Sequence, residues 1–177
     1  SQEGNNTITG NDIRVVASAQ GSGGSNAGLY LIYDTFASHN SIYVQGGNVD
    51  GVHLVYRNNT IIGNTIEVAS AGEASPTGVQ TNNPSAYNTV MNNSIYLHST
   101  SGSSDTMVGI DFSTHNNGTV SGNTIRISST TAIAPIGIML SSSSYNIVAN
   151  NTINSSGTSS SYGIYLTSAT ANTLINN

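Results

Sequence analysis

The stretch Gly109-Ile-Asp-Phe-Ser-Thr-His-Asn-Asn-Gly-Thr-Val-Ser-Gly-Asn-Thr-Ile-Arg-Ile127 decides the fold, because its order of Gly, alternating apolar residues and Asn recurs from one end of the chain to the other. The core of the unit reads Asn/Gly-Thr-Val/Ile-x-Gly/Asn-Asn-x-Ile-x-Val/Ile. Copies begin at Asn6, Asn59, Asn88, Gly118 and Asn146, with a degenerate one at Thr35 and a clipped one at Asn172. From Asn6 onward the intervals are 29, 24, 29, 30, 28 and 26 residues, the range in which stacked-repeat architectures fall. A second element, Gly-Φ-x-Φ, precedes each later copy and begins at Gly28, Gly51, Gly78, Gly109, Gly137 and Gly163.

Within each unit, apolar and polar residues alternate over short spans, which is the period of a half-buried strand and not of a helix. Gly-Φ-x-Φ supplies one strand, with Leu29, Val52, Val79, Ile110, Ile138 and Ile164 falling in one inward column once the repeats are stacked. Asn-Thr-Ile supplies a second (Ile8, Ile61, Val90, Val120, Val148, Leu174), and Asn-x-Ile-x-Val a third (Ile13, Ile42, Ile66, Ile95, Ile125, Ile153). Three strands per coil stacked at about 4.8 Å make an all-β, parallel β-helix of six to seven coils. With one repeat running through 177 residues and no composition break, the chain reads as a single domain over residues 1–177.

Between the second and third strands stand pairs whose first member, Gly10, His39, Gly63, Asn92, Gly122, Asn150 or Asn176, can make a tight corner with positive φ. The second member is Asn in every coil: Asn11, Asn40, Asn64, Asn93, Asn123, Asn151 and Asn177. In identical register these amides form a ladder that passes hydrogen bonds from coil to coil. The remaining corner is variable in length and rich in Ser and Gly, spanning roughly residues 17–27, 69–77, 98–108, 128–135 and 155–162.

Composition excludes several classes of function. Charged residues are 6% of the chain, lysine is absent, Arg14, Arg57 and Arg126 are the only strong cations, and the formal net charge is −5. A nucleic-acid partner needs a basic face, which this chain lacks. No apolar run approaches the roughly 20 residues of a membrane-spanning helix. Cysteine is absent, so there is no disulfide framework and no thiolate ligand or nucleophile. The Asn/Ser/Thr-rich surface predicts an extracellular or cell-surface location.

The string Gly-Ile-Tyr-Leu-x5-Asn-Thr-Leu-x-Asn-Asn from Gly163 to Asn177, like its counterparts upstream, resembles the right-handed parallel β-helix repeats of NosD-type periplasmic proteins and of archaeal surface-layer and secreted proteins. The resemblance to pectin-degrading enzymes is more distant. It covers the whole chain and implies the fold. The same repeat serves enzymes, adhesins and structural proteins, so function has to come from particular residues.

Enzymes of this resemblance carry catalytic carboxylates on an outward strand column. Here the outward residue of Gly-Φ-x-Φ is Tyr30, His53, Gln80, Asp111, Met139 and Tyr165 in turn. Asp111 and His53 are the catalytic candidates, but at two coils apart they do not form the carboxylate pair that glycoside hydrolysis uses, and no catalytic residue is assigned. Tyr30 and Tyr165 are candidates for binding carbohydrate. The outward column of the third strand, Arg14, Tyr43, Glu67, Tyr96, Arg126 and Asn154, mixes charge and aromatic rings so that like charges never adjoin. His39, His53, His98 and His115 fall at a corner, an outward strand site and two loops. No metal site and no cofactor is expected from that spacing, and the copper role that the NosD resemblance brings to mind has no residue support.

N-glycosylation sequons occur at Asn5, Asn58, Asn92, Asn117, Asn150 and Asn154. Asn5, Asn58 and Asn117 are the best placed, just ahead of the second strand, so a glycoprotein is one expectation. The ends match in register. A second copy placed on the last coil would set Asn177 against Asn11, Leu174 against Ile8 and Asn172 against Asn6, continuing both ladder and core. The sequence therefore predicts a non-enzymatic structural subunit that assembles end to end into a filament, sheath or surface layer, with itself as partner. A polysaccharide-binding or polysaccharide-cleaving β-helix is the alternative.

Overall fold

A computed structural model describes residues 5–17, 26–70, 75–99, 106–130, 134–158 and 160–177, with the side chains of residues 82–84 left aside. Its strands are all parallel and run in three sheets. The first stacks Asn6–Thr9, Thr35–Ser38, Thr60–Ile62, Thr89–Met91, Thr119–Ser121, Ile147–Ala149 and Thr173–Ile175. The second stacks Asp12–Val16, Ser41–Gly46, Thr65–Ser70, Ser94–Ser99, Thr124–Ser128 and Thr152–Ser156. The third stacks Asn26–Leu31, Val49–Arg57, Thr77–Ala86, Val108–Asp111, Ile136–Ser141 and Tyr162–Thr167, with the short His115–Asn116 pairing at the end of Thr77–Ala86. The molecule is thus a parallel β-solenoid, its second and third sheets six strands deep along the stack. That is slightly shallower than the upper end of the six to seven coils expected, because the clipped last unit contributes only a first-sheet strand.

All three apolar columns form in the expected register. Ile8 pairs with Ala37 and then Ile61, Val90, Val120, Val148 and Leu174 follow in line, so the degenerate copy at Thr35 fills its place in the column with a smaller side chain. Ile13 to Ile153 likewise pair without a break. In the interior coils these residues are sealed from solvent, and each contributes roughly 1.5–3 kcal/mol on burial.

The isoleucine column also explains the invariant glycine of Gly-Φ-x-Φ. A Cβ at Gly51 would lie 2.3 Å from Ile66 Cγ2 and 2.5 Å from the Gly78 carbonyl oxygen. The same collision recurs at Gly78, Gly109 and Gly137 against Ile95, Ile125 and Ile153. Glycine is required there by close approach, not by backbone angle.

The Asn ladder forms in full. Each Oδ1 accepts from both the backbone N–H and the Nδ2 of the rung before it, at 2.8–3.2 Å, from Asn11 through to Asn177. The second proton of each Nδ2 from Asn40 onward goes to an inward-column carbonyl such as Ile61 or Val90. An interior rung has every donor and acceptor of its amide in use while buried. The residue ahead of each rung adopts positive φ in all seven corners, as expected.

A second ladder was not anticipated. Asn59, Asn88, Asn146 and Asn172, at the head of their repeats, run the same pattern at the corner between the third and first sheets. Gly118 occupies one of these places and has no amide to offer. The ring of His115 fills the gap: a Cβ at Gly118 would sit 2.2 Å from His115 Cε1. Asn146 Oδ1 can only accept, so His115 Nδ1 carries the proton at 3.0 Å, and Nε2 accepts the Asn88 N–H at 3.4 Å. His115 is fully buried and stacked 4.2 Å from Phe112, which corrects its expected place in a loop. His98 is also corrected: it belongs to the strand Ser94–Ser99 and contacts Glu67 at 3.1 Å. The Ser/Gly corners lie wholly or partly outside the described residues.

Two predictions follow from the ladders. Replacing Asn93 with Ala strands two buried donors of Asn64 and the Ile61 carbonyl, so thermal or urea denaturation is expected to show a loss of about 3 kcal/mol or more. The same change at exposed Asn11 is expected to cost less than about 1 kcal/mol.

Burial pushes the His115 pKa down to about 4 from 6.5, against the smaller pull of its bond to Asn146. The unfolded chain binds this proton first, so His115 contributes full stability above about pH 6.5 and loses it progressively down to about pH 4. The expected loss is on the order of 3 kcal/mol. In the double variant His115→Ala/Gly118→Asn the rung is restored with an amide, and the His115 contribution to the acid dependence should vanish from the pH–stability curve.

Candidate functional site

The outer face of the third sheet carries a constellation of polar groups that differs from coil to coil and borders a cleft. Its row Tyr30, His53, Gln80, Asp111, Met139 and Tyr165 is in register, as the repeat implies. The register is unbroken across Gly51, Asp50 pairing with Thr77 and Val52 with Val79. Asp50 and His53, three residues apart on this strand, nevertheless meet through their side chains. Asp50 Oδ2 lies 2.8 Å from His53 Nδ1.

Asp50 is 2% exposed, and a carboxylate so enclosed needs partners. Besides His53 it has Gln80, whose amide nitrogen, turned toward Asp50, lies 2.9 Å from both carboxylate oxygens. That arrangement fixes the amide. Its carbonyl oxygen is the atom left to accept a hydrogen bond. His53, expected to point outward, is in fact 6% exposed, covered on one side by Tyr30 at 5.0 Å between ring centroids. Its Nε2 is buried and has no hydrogen-bond partner.

Asp111 is the next residue along the row. Its Oδ1 accepts from the backbone N–H and hydroxyl of Ser113. Burial raises its pKa above the usual carboxylate range; the Ser113 bonds oppose that shift and the Asp50 charge adds to it. A cleft of about 400 Å³ opens beside Gln80 and Asp111, lined also by Thr77, Thr106 and Met139.

Catalytic geometry is not assembled here. His53 and Asp50 resemble a base and its orienting carboxylate, but the free nitrogen is sealed where no reacting atom can reach it. Tyr30 and Tyr165 stand at opposite ends of the row, five layers or roughly 24 Å apart, so they cannot share one sugar. Tyr165 packs against Tyr162 instead. On the second sheet, Arg14 lies over Tyr43 and Arg126 over Tyr96 at 5.2 and 5.5 Å, which accounts for that outward column as cation–π stacking between coils. Asn5, Asn58 and Asn117 are all exposed, and Asn58 Nδ2 donates to Asp34. Asp50 escaped the sequence reading, although it is the only carboxylate in the place just ahead of a Gly-Φ-x-Φ glycine.

Stacked three-strand coils with ladder corners define a repeat protein of the parallel β-helix class. Residues 4–177 match the family model of NosD, the periplasmic copper-binding protein, and the chain belongs to that family. Neither curated proteins nor solved structures gave a match. A periplasmic family agrees with the exported location suggested by composition. No helix among the described residues is long and apolar enough to cross a membrane.

The family description raises copper, and the donors present do not fit it. Copper sites draw on imidazole, thiolate or thioether groups held together. There is no cysteine, and among the described residues no three His, Cys, Asp or Glu come together. His53 and His98 are engaged by carboxylates, and both ring nitrogens of His115 serve the second ladder. Met107 is fully buried, and Met91 and Met139 belong to different sheets. Titration with Cu(II), or with Cu(I) under reductant, is therefore expected to leave the melting temperature of this domain unchanged, whereas a specific site would raise it.

Proposed function

We propose that the protein is a non-enzymatic structural β-solenoid that stacks end to end with copies of itself. The observation that carries this reading is the polarity of the Asn ladder. Every rung donates toward the next and accepts from the one before, so the two faces of the stack are complementary and not alike.

At the leading face Asn11 donates to Asn40 and Thr9, and its Oδ1 accepts from no described residue. At the trailing face Asn177 Oδ1 accepts from Asn151 and Nδ2 donates to Val148, while its backbone N–H has no acceptor among the described residues. Set head to tail, Asn177 meets Asn11 with donor facing acceptor. Asn172 likewise offers the second ladder to the coil of Asn6. Leu174, 42% exposed, would cover Ile8 and continue the column. The contact is heterologous and does not close on itself, so it generates an open filament or layer and not a closed dimer or ring.

Electron microscopy of the purified 177-residue chain at neutral pH tests the proposal. Fibres or sheets with a layer spacing of about 4.8 Å along their axis are expected. Leu174→Asp should convert them to discrete particles while leaving the circular-dichroism spectrum unchanged. Wild-type protein that remains monomeric at every concentration would rule the reading out.

A further inference from the structure

The cleft on the third sheet has a polarity that neither stacking nor the family description uses. Buried Asp50 holds the nitrogen of the Gln80 amide with both oxygens at 2.9 Å, which leaves the carbonyl oxygen of this cleft-lining residue as its free acceptor. Beside it stands the Asp111 carboxylate, whose Oδ1 is committed to Ser113. Oδ2 is left for the cleft. Two fixed acceptors thus lie side by side, with a second carboxylate behind them. Among the described residues no Lys, Arg or His lines the space to answer them.

The rest of the lining completes the picture. Ser75, Thr77 and Thr106 supply hydroxyls that can turn either way, and Asn48 an amide. Val108, Ile136 and Met139 form an apolar wall. Acceptors of fixed polarity select a ligand that only donates, the negative field selects a positive one, and the wall suits methylene groups.

We propose that this cleft binds a primary ammonium group carried on a short aliphatic chain, as in a polyamine or a lysine side chain. The ammonium bridges Gln80 Oε1 and the free oxygen of Asp111, and its methylenes lie along Met139 and Ile136. An ammonium in this place also offsets the burial and the Asp50 repulsion that hold the Asp111 carboxyl above its usual range. Asp50 acts as a positioning residue: it touches Gln80, not the ligand.

Calorimetric titration of the intact chain with putrescine, with Nα-acetyl-lysine methylamide and with 1,4-butanediol tests the site. Both ammonium compounds should bind and the diol should not; the tighter of the two ammonium compounds tells a free polyamine from a lysine side chain. Asp111→Asn, which keeps shape and removes charge, should weaken binding at least about tenfold. Gln80→Met removes the second acceptor and leaves Asp111 in place, so it should also weaken binding, and melting curves show whether each variant folds. Diol binding as tight as diamine binding would overturn the proposal in favour of a neutral polyol site. Absence of binding by any of the three, or binding that ignores both substitutions, would overturn it outright. None of these outcomes bears on end-to-end stacking, which uses other residues.

Discussion

A buried side-chain amide with four hydrogen bonds to satisfy is the constraint on which this solenoid depends. Each interior Asn of the first ladder finds its partners only if the coil above and the coil below are in identical register, because its acceptors and donors are supplied by the rungs on either side and by a carbonyl of the preceding coil. Apolar columns alone would tolerate a slip that keeps hydrophobic against hydrophobic. The ladder would not, since a displaced rung leaves buried polar groups unmet at roughly 1–3 kcal/mol each. Loops of differing length are therefore admissible at the variable corner, and the intervals between units range from 24 to 30 residues without disturbing the sheets.

What was legible in the sequence is what the repeat enforces in every coil. The three columns, the first ladder and its positive-φ corners were all readable, because each is a residue type recurring at one place. Features that occur once were hidden. The second ladder could have been read from Asn59, Asn88, Asn146 and Asn172, but the Gly at position 118 and the Thr at position 35 interrupt its pattern. His115 looked like a loop residue because its role is defined by what Gly118 lacks. His98 looked like one because the strand that ends at Ser99 runs two residues further than the alternation suggested.

The outer face was the least legible part. Simple alternation from the glycine put His53 in solvent, whereas its contacts with Asp50 and with the ring of Tyr30 enclose it. Two carboxylates and an amide then become a linked set in which the enclosed charge decides how the accessible groups point. A binding preference on such a face is built from second neighbours, which strand periodicity does not report. The family description is silent on it as well, since the copper that it names has no donor set among the described residues.

The exchange of Gly118 and His115 at the head of the fifth repeat carries an implication about how such chains change. The imidazole of His115 and a side chain at position 118 exclude each other, because they would occupy the same volume. A His acquired opposite an Asn at position 118 would clash, and a Gly acquired without the His would leave a hole and an unanswered Asn88 N–H. The two positions are therefore coupled, and either change made alone is expected to cost stability. Because neighbouring coils stay in register on either side, the redundancy of a solenoid lets a single coil depart from its repeat without loss of the stack.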